Sequence, residues 1–284
     1  VGSVNIHCAA AIGGCGLGRA AIRWDDLDVA GVITASDPSW TAPFAGMSPR
    51  QFGKLLAALR REGADAVRRG RPWSLPLEDR VLLIAAYWRT NLTPGQLAPL
   101  FGVSKSAAGR IIDHLAPSLA FQPRKRFRRD TVLIVDGTLV PTRDHTVAEQ
   151  SKNYRYSTNH QVVIDADTRL VVTVGRPLPG NRNDCKAWEL SGTKAAVGKA
   201  VVIADGGYRG TGLVIPHRRE PGQTDLPDWK EEHNASHRKV RARVEHVFAR
   251  MKSWRILRDC RLKGDGVHHA MLGIARLHNL ALAG

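Results

Sequence analysis

Between residues 49 and 69 the apolar side chains Phe52, Leu55, Leu56 and Leu59 recur at helical spacing, and residues 77–88 repeat the pattern with Val81, Leu82, Ile84, Ala85 and Trp88. Both stretches predict amphipathic helices. Ser48 before Pro49 reads as an N-cap with proline at the first helical position. Residues 93–104 (TPGQLAPLFGVS) then predict a short helix, a turn at Gly102 and a cap at Ser104 for a helix running to about Leu115. Two short helices so joined have the grammar of a helix-turn-helix. At ~100° per residue, Ala107, Ala108, Ile111, Ile112 and Leu115 share one side of the second helix, with Ser106, Gly109, Arg110 and Asp113 outward. Lys105, Ser106 and Arg110 are therefore candidate readers of base edges, an ordinary helical hairpin being the plainer alternative.

Past residue 130 the texture changes to strands. Residues 131–135 are an apolar run ending in Asp136-Gly137, residues 161–164 and 170–174 flank a polar turn as a hairpin, and residues 200–204 run apolar into Asp205-Gly206-Gly207. Val214-Ile215 suggests a short edge strand. Helices over about 228–256 and 267–282 close the chain. The order predicts an α/β protein: an all-helical domain at 47–122, with the helix-turn-helix at 93–115, followed at 123–284 by a mixed sheet covered by helices.

Charge adds the first functional constraint. The 284 residues hold 42 Lys and Arg against 26 Asp and Glu, a net charge of +16, which favours a polyanionic partner. Five of the seven residues 123–129 are basic (Arg124, Lys125, Arg126, Arg128 and Arg129), so the start of the second domain is a candidate phosphate-binding linker. Residues 1–46 differ, with two basic residues against four acidic. They read as a poorly ordered leader, an over-extended frame ahead of a start at Met47. The four cysteines are scattered, with no CxxC pair, which argues against disulfides and zinc and for a reducing, cytoplasmic compartment. No apolar run approaches the ~20 residues of a membrane span, so no membrane partner is expected.

Chemistry is carried by acids. Asp136 and Asp205 each follow a buried strand, where ligands of open α/β sheets collect. Two such carboxylates on neighbouring strands repel unless a cation bridges them. Asp-Gly after a strand is also a common turn, so neither site is strong alone. On the long helix the wheel sets Glu245 beside the buried stripe, flanked by Arg241, Lys252 and Arg238. Glu245 is then either a surface ion-pair partner of Arg241 or the third carboxylate of a site for a hard cation, with the flanking cations on DNA phosphates. Oxygen ligands without Cys or His imply magnesium, or manganese in its place.

With these residues in view the chain resembles bacterial insertion-sequence transposases of the DDE type, in the group related to the PIF/Harbinger transposases. The resemblance runs from about Ser36 to the C-terminus. It is carried by DGT at 136–138, GNRND at 180–184, ADGGY at 204–208, and the Arg241, Glu245 and Lys252 of RxxxExxxxxxK. The spacings, 69 residues from Asp136 to Asp205 and 40 on to Glu245, leave no room for a large insertion domain. The signature of this broader class has Tyr three residues before the Arg; here that position is Arg238, grouped with the phosphate-binding cations. The resemblance implies an RNase H-like catalytic domain, with Asp136, Asp205 and Glu245 catalytic. It implies two divalent metal ions that activate a water and then a liberated 3′ hydroxyl, cleaving transposon ends and joining them to target DNA. Self-association in a transpososome is implied too. Asp184 has two readings, a fourth metal ligand or part of the Asn183-Asp184 cap of a helix over 185–190, and the cap is preferred.

Two other functions compete. Residues 135–140 resemble the DxDGTL motif of haloacid-dehalogenase phosphatases, but the nucleophile position holds Ile134. A helix-turn-helix regulator explains the charge without explaining three acids and a cation-flanked helix. A nuclease of the same fold retained without transposition is the remaining alternative.

Overall fold

The structure, a computed structural model, describes residues 32–66, 70 and 72–284. The part of the expected leader at 1–31 lies outside them. Its remainder does not behave as a leader. Residues 33–46 wrap the helical domain: Ile33 and Ala45 are buried in the core, and the short helix α1 (Thr41–Ala45) lies against α3 (Leu77–Thr90). The charge contrast misled because these residues contribute apolar area, not charge.

α2 (Pro49–Arg61) begins where predicted, with Ser48 and Gln51 capping each other's backbone N–H groups. It stops at Arg61 rather than near 69, because the chain turns at Gly63 with φ of 80°, a left-handed value that glycine takes without strain. The same reciprocal cap, Thr93 with Gln96, opens α4 (Pro94–Leu100), and Ser104 caps α5 (Lys105–Leu115). Between them Gly102 takes φ of 63°, so the helix-turn-helix has its turn on a glycine.

Among the described residues six strands form one mixed sheet: β1 (Val132–Pro141), β2 (Glu149–Gln150), β3 (Tyr156–Asp165), β4 (Val171–Val174), β5 (Leu178–Pro179) and β6 (Val201–Ile203). The main path runs β2-β3-β1-β6, with β1 antiparallel to β3 and parallel to β6, while β4 and β5 also pair with β3. Val214 adds only an isolated parallel bridge to Ile203 instead of the expected strand. Alternation along the strands divides the apolar side chains between two faces. Ile134, Val140, Val162 and Ile164 face the cluster shared with α8 (Asp228–Met251) and α9 (Gly266–Ala283). Leu133, Val135 and Val163 face Trp188 of α6 (Asp184–Leu190) and Val197 of α7 (Thr193–Val197). A mixed sheet sandwiched by helices, behind a helical N-terminal part, is the expected α/β, RNase H-like architecture.

Two predicted bounds change. α8 ends at Met251, and the apolar residues that continued its pattern, Trp254, Ile256 and Leu257, belong to a tight turn packed on α3. β1 does not end at Asp136; it continues to Pro141 because β3 pairs with it throughout.

Candidate active site

The parallel pairing of β1 and β6 positions the first two acids. Its last pair is Ile134 with Ile203, so Asp136 and Asp205 each stand two residues beyond matched positions. β6 is finished by then, and the chain enters a tight turn in which the Gly207 N–H donates to Asp205 Oδ1 at 2.7 Å. Asp136 is mid-strand, not in the turn that Asp-Gly suggested, and its Oδ1 accepts the Gly137 N–H at 2.9 Å. In both cases a backbone donor fixes one carboxylate oxygen.

α8 crosses this end of the sheet and brings the third acid. Arg241 donates from Nη2 to Asp136 Oδ2 at 3.0 Å and from Nη1 to Glu245 Oε1 at 3.1 Å, so one guanidinium bridges two of the predicted catalytic carboxylates. The plain surface-pair reading of Glu245 with Arg241 is thus incomplete: the same cation reaches β1. Asp136 is 14% exposed and Glu245 55%, so the first carboxylate bears most of the desolvation. Burial, with Glu245 and Asp205 adding repulsion, raises Asp136 from 3.8 to about 6 against the pull of Arg241 and the Gly137 N–H.

A folded pKa above the unfolded one means that the native state favours the protonated form. Stability associated with that proton is present below pH 3.8 and is lost as pH rises towards 6. An asparagine in place of Asp136 mimics the neutral form. The Asp136→Asn protein, kept in EDTA at pH 7, is expected to melt on the order of 5 °C higher than the parent, with the gain shrinking as pH falls from about 6 towards 3.8. An unchanged or lower melting temperature at pH 7 would contradict the raised pKa.

Asp184 lies in the same region on the other side of β1. The cap of α6 is Asn183, whose side chain accepts the Lys186 N–H at 2.9 Å, so Asp184 is not needed as a cap. Its carboxylate lies beside two glycines of the site. A Cβ added to Gly137 would come within 2.5 Å of Asp184 Oδ1, and one on Gly207 within 2.8 Å of Asp205 Oδ1 and 3.6 Å of Asp184 Oδ2. Four carboxylates therefore gather around the β1–β6 end.

The donor set is carboxylate oxygen alone, the chemistry of a hard divalent cation. Among the described residues no three Asp, Glu, His or Cys side chains stand close enough together to close around a metal, and Arg241 supplies the positive charge between Asp136 and Glu245. It is the chemistry of the donor set, not its spacing with Arg241 in place, that suits such an ion.

The remaining candidates scatter. Arg238 is exposed on α8 and Lys252 is half-buried at its C-terminal end; among the described residues neither pairs with a carboxylate. Of the basic linker, Arg124 is committed to Asp165 at 3.1 Å and Arg128 to Asp130 at 2.9 Å, leaving Lys125, Arg126 and Arg129 exposed. Lys105, Ser106 and Arg110 are exposed on α5, over the buried Ala108, Ile111, Ile112 and Leu115. Unforeseen was Arg218, which donates to the Gly206 carbonyl at 3.2 Å beside Asp205. Equally unforeseen were Asn159 and Gln161, polar and buried on β3. The signal was present in their two-residue spacing, which puts both on one face.

Comparison with known proteins identifies the family of each half of the chain. Residues 127–280 match the family described as the transposase DDE domain, and residues 73–125 match the helix-turn-helix of DDE superfamily endonuclease. The chain is similar to a Streptomyces albus G protein assigned by name as the transposase for insertion sequence element IS112. The two are 85% identical over 256 residues, 90% of this chain and all of that protein. It is also 25% identical over 232 residues to the protein so assigned for element IS702 in Microchaete diplosiphon, 75% of this chain and 83% of that one.

Proposed function

Since the chain belongs to the DDE-superfamily transposases of insertion sequences, with a helix-turn-helix DNA-binding domain ahead of a DDE catalytic domain, we propose that Asp136, Asp205 and Glu245 are its catalytic carboxylates. The substrates are the terminal inverted repeats of its own element and a target DNA. The observation that carries this reading is the matched register of β1 and β6, which ends two residues before each aspartate and under the Arg241 and Glu245 of α8.

The family works with divalent metal ions; here Asp136, Asp205 and Glu245, with Asp184 as a fourth ligand, would hold two magnesium ions, or manganese in their place. When bound, they supply an activated water on one side of the scissile phosphate and stabilise the leaving 3′ oxygen on the other. The Gly137 and Gly207 N–H groups each hold one carboxylate oxygen, which keeps the other turned outward. Arg241, released from Asp136 and Glu245, and Lys252 hold the phosphates beside the scissile bond, with Arg238 one helical turn away. Positioning of this kind lowers the barrier without any covalent protein intermediate. Cleavage and strand transfer then use the same carboxylates in turn. Assembly of two ends calls for self-association in a transpososome, in the cytoplasm on DNA, and the DGT, GNRND and ADGGY motifs favour the PIF/Harbinger-related group within the superfamily. Among the described residues no helix is long and apolar enough to cross a membrane.

Recognition is divided between two surfaces. Lys105, Ser106 and Arg110 read bases from α5, and the basic linker binds phosphates. The test is cleavage and binding of duplexes carrying the element's ends. Magnesium-dependent nicking by the parent protein, abolished by EDTA, is expected. Arg110→Ala should bind the cognate end and a scrambled duplex almost equally well. Neutralising Lys125, Arg126 and Arg129 together should weaken both duplexes and lower the salt slope by about 2 to 3, since each phosphate contact contributes roughly 0.9. Arg124 and Arg128, already paired, should add little. Full discrimination by Arg110→Ala would return α5 to a purely structural role.

A further inference from the structure

We propose that Gln161, with Asn159 and Tyr208, is a positioning relay that holds the Asp184 carboxylate beside Asp205. This deepens the proposed site and rests on the reading of Asp136, Asp205 and Glu245 as its metal-holding acids.

The relay begins three residues after Asp205. Tyr208, fully buried, donates its hydroxyl to Gln161 Oε1 at 2.5 Å. Gln161 Nε2 donates in turn to Asn159 Oδ1 at 3.1 Å and reaches Asp184 Oδ1 at 3.5 Å, while Asn159 Nδ2 reaches the same oxygen at 3.4 Å and the Arg182 carbonyl at 3.2 Å. All donors run one way, from phenol to amide to carboxylate. The direction is secured at its start: burial, and after it Asp184, Asp136 and Asp205, push the Tyr208 phenol far above its ordinary value, so it stays a donor.

Packing alone does not call for these side chains. Gln161 and Asn159 are 0% and 5% exposed on the face of β3 that continues with the apolar Val163, and an aliphatic residue would fill either position without a polar group to satisfy. Nor is the fit accidental on the facing strand. Gly137 pairs with Gln161 across β1 and β3, and a Cβ there would come within 2.8 Å of Gln161 Nε2 as well as striking Asp184. The glycine of the DGT motif is thus the space the relay occupies. Gln161 is the link that joins the turn carrying Asp205 to the helix carrying Asp184, and so fixes their separation.

The test is a Mn²⁺ titration of the full chain, free ion being read by electron paramagnetic resonance, with melting temperature followed in EDTA. Gln161→Leu and the volume-conserving Tyr208→Phe should each weaken Mn²⁺ binding about 10-fold, and should raise the Mg²⁺ concentration for half-maximal single-turnover cleavage in proportion. Both should remain folded, with melting temperatures within a few degrees of the parent. In an Asp184→Asn background, Gln161→Leu should change Mn²⁺ affinity by less than roughly twofold, because its effect passes through Asp184. An undiminished loss in that background, or no loss from either single variant, overturns the relay. Asp136→Ala distinguishes failure of the underlying reading: if Mn²⁺ binding ignores that change, the metal site is elsewhere and the relay goes with it.

Discussion

Asp136→Ala, Asp205→Ala and Glu245→Gln are each expected to lower single-turnover cleavage of a terminal-repeat duplex by ~10³-fold or more, while DNA binding holds or tightens. The first half of the expectation follows from the chemistry: phosphodiester cleavage by bound divalent ions fails when a ligand carboxylate is lost. The second half follows from the fold. None of the three acids lies on α5 or in the linker, and removing negative charge from a surface that meets phosphates favours association. Arg241 sharpens the comparison. Asp136→Ala leaves it paired with Glu245, and Glu245→Gln leaves it paired with Asp136. Neither variant strands a buried cation, and collapse of the fold would not account for the lost activity. Matching melting curves and gel shifts alongside the cleavage rates complete the measurement. Cleavage within tenfold of the parent by any one variant removes that residue from the catalytic set.

The second large effect is on stability. A chain beginning at Met47 is expected to melt at least 10 °C lower than the parent, or to be recovered aggregated, although charge and pattern alone mark the segment before it as dispensable. The removed stretch carries Ile33 and Ala45, buried, and Trp40 and Phe44, stacked at 5.9 Å and packed on the same core. Large apolar side chains contribute roughly 1.5 to 3 kcal/mol each when fully buried, a substantial share of the ~5 to 15 kcal/mol that holds a typical domain folded. Polar losses add to this. Asp79 is almost wholly buried, and its Oδ1 accepts the Ala35 N–H at 2.6 Å and the Thr34 hydroxyl at 3.1 Å. Truncation leaves that carboxylate without these donors, and the Leu100 carbonyl of α4 without the Ile33 N–H. A truncated protein with an unchanged thermal midpoint would mean that this segment merely lies on the surface.

Local grammar and distant pairing account for where the sequence was legible. Helix starts at Pro49, Pro94 and Lys105 could be read because each cap, Ser48, Thr93 and Ser104, bonds within three residues of itself. The second half of β1 could not, because Gly137 stays in the strand only through its pairing with Gln161, 24 positions on. The Asn183-Asp184 cap was legible too, but not which of the two residues does the capping. Cap and first helical residue differ by one position, and only the fold shows Asn183 taking the cap while Asp184 turns to the glycines. Asp136, Asp205 and Glu245 were legible as types and spacings; that Arg241 would reach two of them depended on how α8 crosses the sheet.

One apolar cluster contains Leu55, Trp88 and Ile112 from the helical half together with Ile134, Val247 and Ile274 from the catalytic half. α9 carries Gly273 where the ring of Trp88 sits, Arg89 of α3 lies 3.9 Å over the Trp254 ring, and the linker is strapped down by the Phe121 and Arg124 N–H groups on the Leu272 and Val172 carbonyls. On the proposed reading, in which α5 meets bases and the β1–β6 end cuts, α5 is therefore not a tethered bead but one jaw of a caliper. The number of base pairs between the sequence recognised and the bond cut is, on that reading, a dimension built into the interior of the protein.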